Sequence, residues 1–83
     1  MISLLEQPIF IPRISKQVEH CKLIEWRKEE GDFITAGDTL LIYETQKASA
    51  VLEVPASGIL KQILIPSGEW LDVTKPVGII TIN

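Results

Sequence analysis

Apolar residues in this chain come in short runs broken by polar turn residues. Pro8, Pro12, Gly31, Gly37, Pro55, Gly58, Pro66, Gly68, Pro76 and Gly78 punctuate it, which excludes long helices over most of the length. Between these marks lie apolar segments of about five to eight residues, the pattern of an all-β domain. The pattern predicts strands over 9–14, 22–27, 39–45, 48–54, 59–65 and 77–82, with short ones at Phe33-Ile34 and Trp70-Leu71. The runs 39–43 and 50–54 flank Glu44-Thr45-Gln46-Lys47-Ala48-Ser49. Two apolar runs around a short polar segment read as a β-hairpin with Gln46 and Lys47 near its tip. No Asn-Gly or Asp-Gly supplies an easy positive-φ position there.

Residues 15–30 obey local rules for a helix as well. Ser15 is a capping residue, Gly31 a stop, and Val18, Cys21 and Ile24 or Glu25 fall at roughly helical spacing. An internal repeat decides between the two readings. A shift of 37 positions, without gaps, places Leu23 on Leu60, Trp26 on Ile63, Gly31 on Gly68, Asp32 on Glu69, Phe33 on Trp70 and Ile34 on Leu71. Leu40 then falls on Val77 and Ile42 on Ile79. The second copy, 59–65, is β-branched and strand-like, so 23–27 is predicted to be a strand by register. Two similar halves of strands predict a pseudo-twofold sandwich or flattened barrel. The Lys47 hairpin is then the crossing between halves, and the two ends of the domain lie together, away from it. Trp26, Phe33 and Trp70 are read as core or sheet-edge packing rather than ligand platforms.

Composition narrows the function. Eighty-three residues, 46% of them hydrophobic, make one small domain with enough apolar matter for a core. The net charge of −3 comes without a basic cluster, so nucleic acid is not an expected partner. No apolar run approaches a membrane span, and the first residues lack the pattern of a signal peptide. Cys21 is the only cysteine; it supports no intrachain disulfide and fits a reducing, intracellular compartment. A zinc site fails on ligand count. His20 has no matching acid and nucleophile for a triad. Cys21 is read as a small core hydrophobe. Glu44 and Glu53 are expected on solvent faces flanking the hairpin, and Glu29-Glu30 to be solvated. A lysine at a hairpin tip is exposed, free at its end and fixed at its base. Lys47 is therefore the candidate attachment point for a covalent prosthetic group. Exposure denies it the desolvation a Schiff-base lysine needs.

Six ordered segments resemble the lipoyl domains of 2-oxo acid dehydrogenase acyltransferases, within the biotinyl/lipoyl carrier family. Ile11-Pro12-Arg13-Ile14-Ser15 is similar to the family's Met-Pro-x-Leu-Ser opening. Glu25-Trp26-Arg27-Lys28-Glu29-Glu30-Gly31-Asp32 resembles its Trp-x-Lys-x-Glu-Gly-Asp segment, and Gly37-Asp38-Thr39-Leu40 its Gly-Asp-x-Leu turn. Glu44-Thr45-Gln46-Lys47-Ala48 resembles the Glu-Thr-Asp-Lys-Ala attachment motif. Pro55-Ala56-Ser57-Gly58 and Ile65-Pro66-Ser67-Gly68 are similar to the later turns.

The resemblance implies two four-stranded antiparallel sheets in a flattened barrel, a core of about residues 8–82, and lipoate in amide linkage on Lys47, flanked by Gln46 and Ala48. It implies a non-catalytic carrier of acyl groups and reducing equivalents. Its partners would be a lipoate ligase or lipoyl transferase, the 2-oxo acid dehydrogenase (E1), the acyltransferase (E2) core and dihydrolipoamide dehydrogenase (E3). The compartment would be bacterial cytoplasm, or the mitochondrial matrix for a domain excised from a longer chain. Ser15, Lys16, Gln17 and Val18, in the loop beside the lysine, are implied in partner recognition with Glu44 and Thr45. Biotinyl domains place Met on both sides of the lysine, so Gln46 and Ala48 favour lipoate. The alternatives are a biotin carboxyl carrier and an unmodified interaction module. Gln46 in place of Asp keeps the latter open. Lys16 for Pro and His20-Cys21 for Glu-Gly are further departures, all beside the hairpin that partners would read.

Overall fold

The structure, a computed structural model, describes residues 5–12, 21–45 and 47–82. Its strands are β1 (Leu5–Ile9), β2 (Cys21–Trp26), β3 (Phe33–Ile34), β4 (Thr39–Thr45), β5 (Ser49–Glu53), β6 (Gly58–Ile63), β7 (Trp70–Leu71) and β8 (Gly78–Ile82). They form two antiparallel sheets, ordered β1-β8-β6-β3 and β5-β4-β2-β7, as the flattened-barrel expectation requires.

The two sheets obey the repeat closely. The 37-residue shift carries β2 onto β6, β3 onto β7 and β4 onto β8, and β1 fills beside β8 the place that β5 holds beside β4. Leu23↔Tyr43 and Glu25↔Ile42 in one sheet match Leu60↔Ile80 and Gln62↔Ile79 in the other. Even the bulge repeats: Ile24 is the extra residue in β2 and Lys61 in β6. Each half lends its short strand to the other half's sheet, since β3 pairs with β6 and β7 with β2. The turn bonds follow suit. Gly68 N–H donates to the Leu23 carbonyl and Gly31 N–H to the Leu60 carbonyl, each at 2.7 Å. Gly31 and Gly68 sit at φ of 93° and 91°, a region that side chains disfavour.

Between the sheets lies one apolar cluster. Leu23, Ile34, Leu40, Leu41, Leu60, Val77 and Ile80 are fully buried there, each worth roughly 1.5–3 kcal/mol relative to an exposed position. Repeat mates belong to it together: Leu23 and Leu60, Leu40 and Val77, Tyr43 and Ile80.

Two expectations need correction. The first strand is Leu5–Ile9, not 9–14; Phe10, Ile11 and Pro12 lie outside any strand, and 13–14 lie outside the described residues. β1 is an edge strand, paired only with β8, so Pro8 sits within it without breaking a central ladder. Proline was a boundary signal in the sequence; at an edge it is not one. Phe33 and Trp70, read as core or sheet-edge residues, are 74% and 66% exposed on the edge strands β3 and β7 and take the second of those places. Trp26 does pack against the core, and its Nε1–H donates to the Ile65 carbonyl at 2.7 Å. Finally, several strands end a residue or two inside their predicted limits: β6 stops at Ile63, where Leu64 and Ile65 N–H both turn to the Val77 carbonyl. The strand chosen by register over the helix reading of 15–30 is present as β2, residues 21–26, followed by bends and a turn over 27–30; 15–20 lie outside the described residues.

Candidate functional site

Strands β4 and β5 pair from Thr39↔Glu53 up to Glu44↔Ser49. Strand alternation sets the faces. Leu41, Tyr43 and Thr45 point inward; Ile42 and Glu44 point out. Beyond the last ladder pair, Thr45 N–H donates to the Ala48 carbonyl at 2.9 Å and closes the tip. The Thr45 hydroxyl adds to this closure. It donates to the Ala48 carbonyl at 3.2 Å and accepts from the N–H of Lys47 at 3.3 Å and of Ala48 at 3.4 Å. No described residue other than glycine has positive φ, so Lys47 holds its place without left-handed backbone.

Lys47, Ala48, Glu44 and Ser49 are exposed. With Thr45 they line an open, shallow depression of about 210 Å³. Lys47 takes part in none of the ion pairs among the described residues, which are Arg27–Glu25, Lys28–Asp38 and Lys61–Glu6. The site is thus a primary amine in water, on a stem fixed at both sides. No acid, base or metal cluster accompanies it among the described residues. It suits an attached arm: the amine is accessible, it pairs with no described carboxylate, and the depression is open to solvent. A larger concavity of about 590 Å³ lies elsewhere, beside Trp26, Glu29, Glu30 and Ser67. Two of its polar side chains are already used: Glu30 accepts from Ile63 N–H and Ser67 from Trp26 N–H.

The row of residues below the tip crosses the whole sheet. On the outer face it reads Trp70, Lys22, Glu44, Ser49. The Lys22 ammonium stands 5.6 Å from the Trp70 ring centroid, within cation–π range. On the inner face the next row is Leu71, Cys21, Thr45. Cys21 is wholly buried, as the sequence suggested, and burial pushes its thiol pKa up. Burial, with a smaller contribution from Cys21, raises that of Tyr43 too. Neither group is an activated nucleophile.

Of the sequence-derived site residues, the structure therefore brings Glu44, Thr45, Lys47 and Ala48 together on one hairpin. Ser15, Lys16, Gln17, Val18 and Gln46 lie outside the described residues. Glu44 faces solvent and Thr45 is half-buried, a division that the motif alone did not reveal. Lys22 and Trp70 were missed as neighbours of the site. The repeat held the signal, since Trp70 mirrors Phe33 on an edge strand beside a residue of β2 or β6.

Comparison with known proteins gives these features a context. A family model described as "Biotin-requiring enzyme", the biotin/lipoyl attachment model, matches residues 7–80. The chain is 36% identical over 74 residues to the acetyltransferase component of the mitochondrial pyruvate dehydrogenase complex of Dictyostelium discoideum, covering 87% of this chain and 12% of that protein. It is 30% identical over 73 residues to the succinyltransferase component of the Bacillus subtilis 2-oxoglutarate dehydrogenase complex, covering 88% and 18%. It is 33% identical over 60 residues to the mouse mitochondrial pyruvate dehydrogenase protein X component, covering 72% and 12%. The chain thus spans less than a fifth of each of these relatives.

Proposed function

The chain belongs to the biotinyl/lipoyl attachment family, and from that premise we propose that it is a lipoyl carrier, with lipoate in amide linkage on Lys47. The observation that carries the reading is the tip itself: an exposed lysine, in no ion pair among the described residues, on a hairpin whose base is hydrogen-bonded from both strands. Ala48 beside it, in place of Met, favours lipoate over biotin.

The lysine is a substrate before it is part of a carrier. A separate enzyme supplies the activated carboxyl group. The bond from Lys47 Nζ to the lipoate carbonyl forms, the bond to the activating group breaks, and the released protons go to solvent. Once attached, the dithiolane disulfide supplies the chemistry, taking up an acyl group with two electrons and giving them up in turn. The chain's own contribution is placement. Its rigid sheets hold the base of the arm, leave the rest in water, and keep the group at high effective concentration for successive active sites. Leu5 pairs with Ile82 in the sheet that does not bear Lys47, so flanking chain would leave from that sheet without crossing the hairpin. The partners are those of a 2-oxo acid dehydrogenase complex: dehydrogenase, acyltransferase core and dihydrolipoamide dehydrogenase. Glu44 on the outward face is positioned to meet them, and the domain itself performs no catalysis.

Incubating the purified chain with a lipoate ligase, lipoate and ATP tests this. One lipoyl increment per chain, absent from Lys47→Arg, is expected. No increment, or a biotin increment with a biotin ligase instead, would contradict it.

A further inference from the structure

Thr45 departs from the logic of its own strand. It points inward, in the row with the buried Leu71 and Cys21, and its repeat mate is Ile82, which packs partly buried against the core. An aliphatic residue would satisfy that pattern at least as well. The hydroxyl is explained by what it touches, which is the far side of the turn: the Ala48 carbonyl and the N–H groups of Lys47 and Ala48. A threonine two residues before the tip can bond backbone in this way, in the manner of an ST-turn. Lys47 N–H has this hydroxyl as its hydrogen-bond acceptor. The backbone at the attachment point is therefore held by a half-buried side chain rooted in strand β4.

We propose that Thr45 is the positioning residue for Lys47: its hydroxyl fixes the backbone from which the lysine is presented to the modifying enzyme. This rests on Lys47 being the attachment site, and it reassigns Thr45 from partner contact to internal latch. A side chain touched by the enzyme would govern binding. A latch governs how often the amine stands in a reactive pose, and so acts on turnover at saturating carrier.

Thr45→Val keeps the shape and removes the hydroxyl; Thr45→Ser keeps the hydroxyl and removes the methyl. With the whole chain as substrate for a lipoate ligase, Thr45→Val is expected to lower kcat about tenfold with little change in KM, the scale of one or two lost hydrogen bonds. Thr45→Ser should stay near the parent rate, and every variant should remain fully folded at the assay temperature. Amide exchange at Lys47 and Ala48 should accelerate in Thr45→Val only. A parental rate in Thr45→Val, or an equal fall in Thr45→Ser, overturns the proposal. So does a rise in KM alone with unchanged exchange, which returns Thr45 to partner contact. Should the parent itself gain no lipoyl, the attachment reading fails, while the exchange data still decide the latch: unchanged protection refutes it.

Discussion

The two halves of this molecule share one backbone plan, and three of the places where their residues differ are instructive. The ladders β2–β4 and β6–β8 have the same register and the same bulge. Yet Trp26 and Leu41 in the first half answer to Ile63 and Gly78 in the second; Cys21 answers to Gly58; and Thr35-Ala36-Gly37 answers to Asp72-Val73-Thr74. Each difference swaps one solution for another of the same problem. The Trp26 ring reaches the space above Gly78, where a Cβ would stand 2.9 Å from the Gln62 carbonyl oxygen and 3.0 Å from the ring's Cη2. A Cβ at Gly58 would lie 2.1 Å from the Thr81 carbonyl oxygen, while the related position holds a buried cysteine without strain. Gly37 turns at a φ of 95°, whereas Thr74 is held by Asp72 Oδ1, which accepts from both its N–H and its hydroxyl. The fold thus tolerates divergence between halves wherever volume and hydrogen bonds are conserved in sum. The hairpin is where divergence has a use, because there β4 runs on into a turn built around an exposed amine.

The sharpest way to break this comparison is at its tightest contact. Gly58→Ala should cost on the order of 3 kcal/mol, since the obstacle is backbone and cannot swing aside. Cys21→Ala at the related position should cost only about 1 kcal/mol, for one lost buried atom. Chemical denaturation of the two variants checks the contrast, and equal costs would show the halves to be packed alike there. The exchange of volume predicts coupling. Gly78→Ala should destabilise by about 1–2 kcal/mol and Trp26→Leu by about 3 kcal/mol, including its bond to Ile65. The double variant should recover about 1 kcal/mol of the sum; strict additivity would mean the ring and the glycine do not depend on each other.

Smaller effects are read in pH. Burial raises the Cys21 pKa in the folded state. Its contribution to stability is therefore complete below the unfolded thiol value, about 8.5, and is lost as pH rises through the folded one. Cys21→Ala should flatten the alkaline fall of the melting temperature. The smallest effect belongs to Asp72, whose carboxylate is held below its usual pKa by the Thr74 hydroxyl and N–H. Stability from it is present above about pH 4 and lost as pH falls through the depressed value. Melting curves of Asp72→Asn should lose part of the acid limb and change little at neutral pH, because the group is exposed.

Much of this architecture could be read from residue order because it is written twice. The repeat turned 23–27 from a helix candidate into strand β2, and it set the short strands Phe33-Ile34 and Trp70-Leu71, read from the apolar pattern, at equivalent places in the two halves. It could not help with β1, which has no copy in the shift and contains Pro8, a breaker everywhere except at an edge. For Phe33 and Trp70 the sequence left core and sheet edge open, and the sheet order decides for the edge, since their strands each have one neighbour among the described strands. At the site, the lysine and its flanks were evident from the motif. The inward aim of Thr45 was not, because it depends on a bulge near Leu40 that resets the alternation of β4.

The central claim is that Lys47 bears a lipoyl group. Intact mass of the chain purified from its own host tests this most directly. One lipoyl increment, lost in Lys47→Arg, is predicted; an unmodified chain or a biotin increment would contradict it.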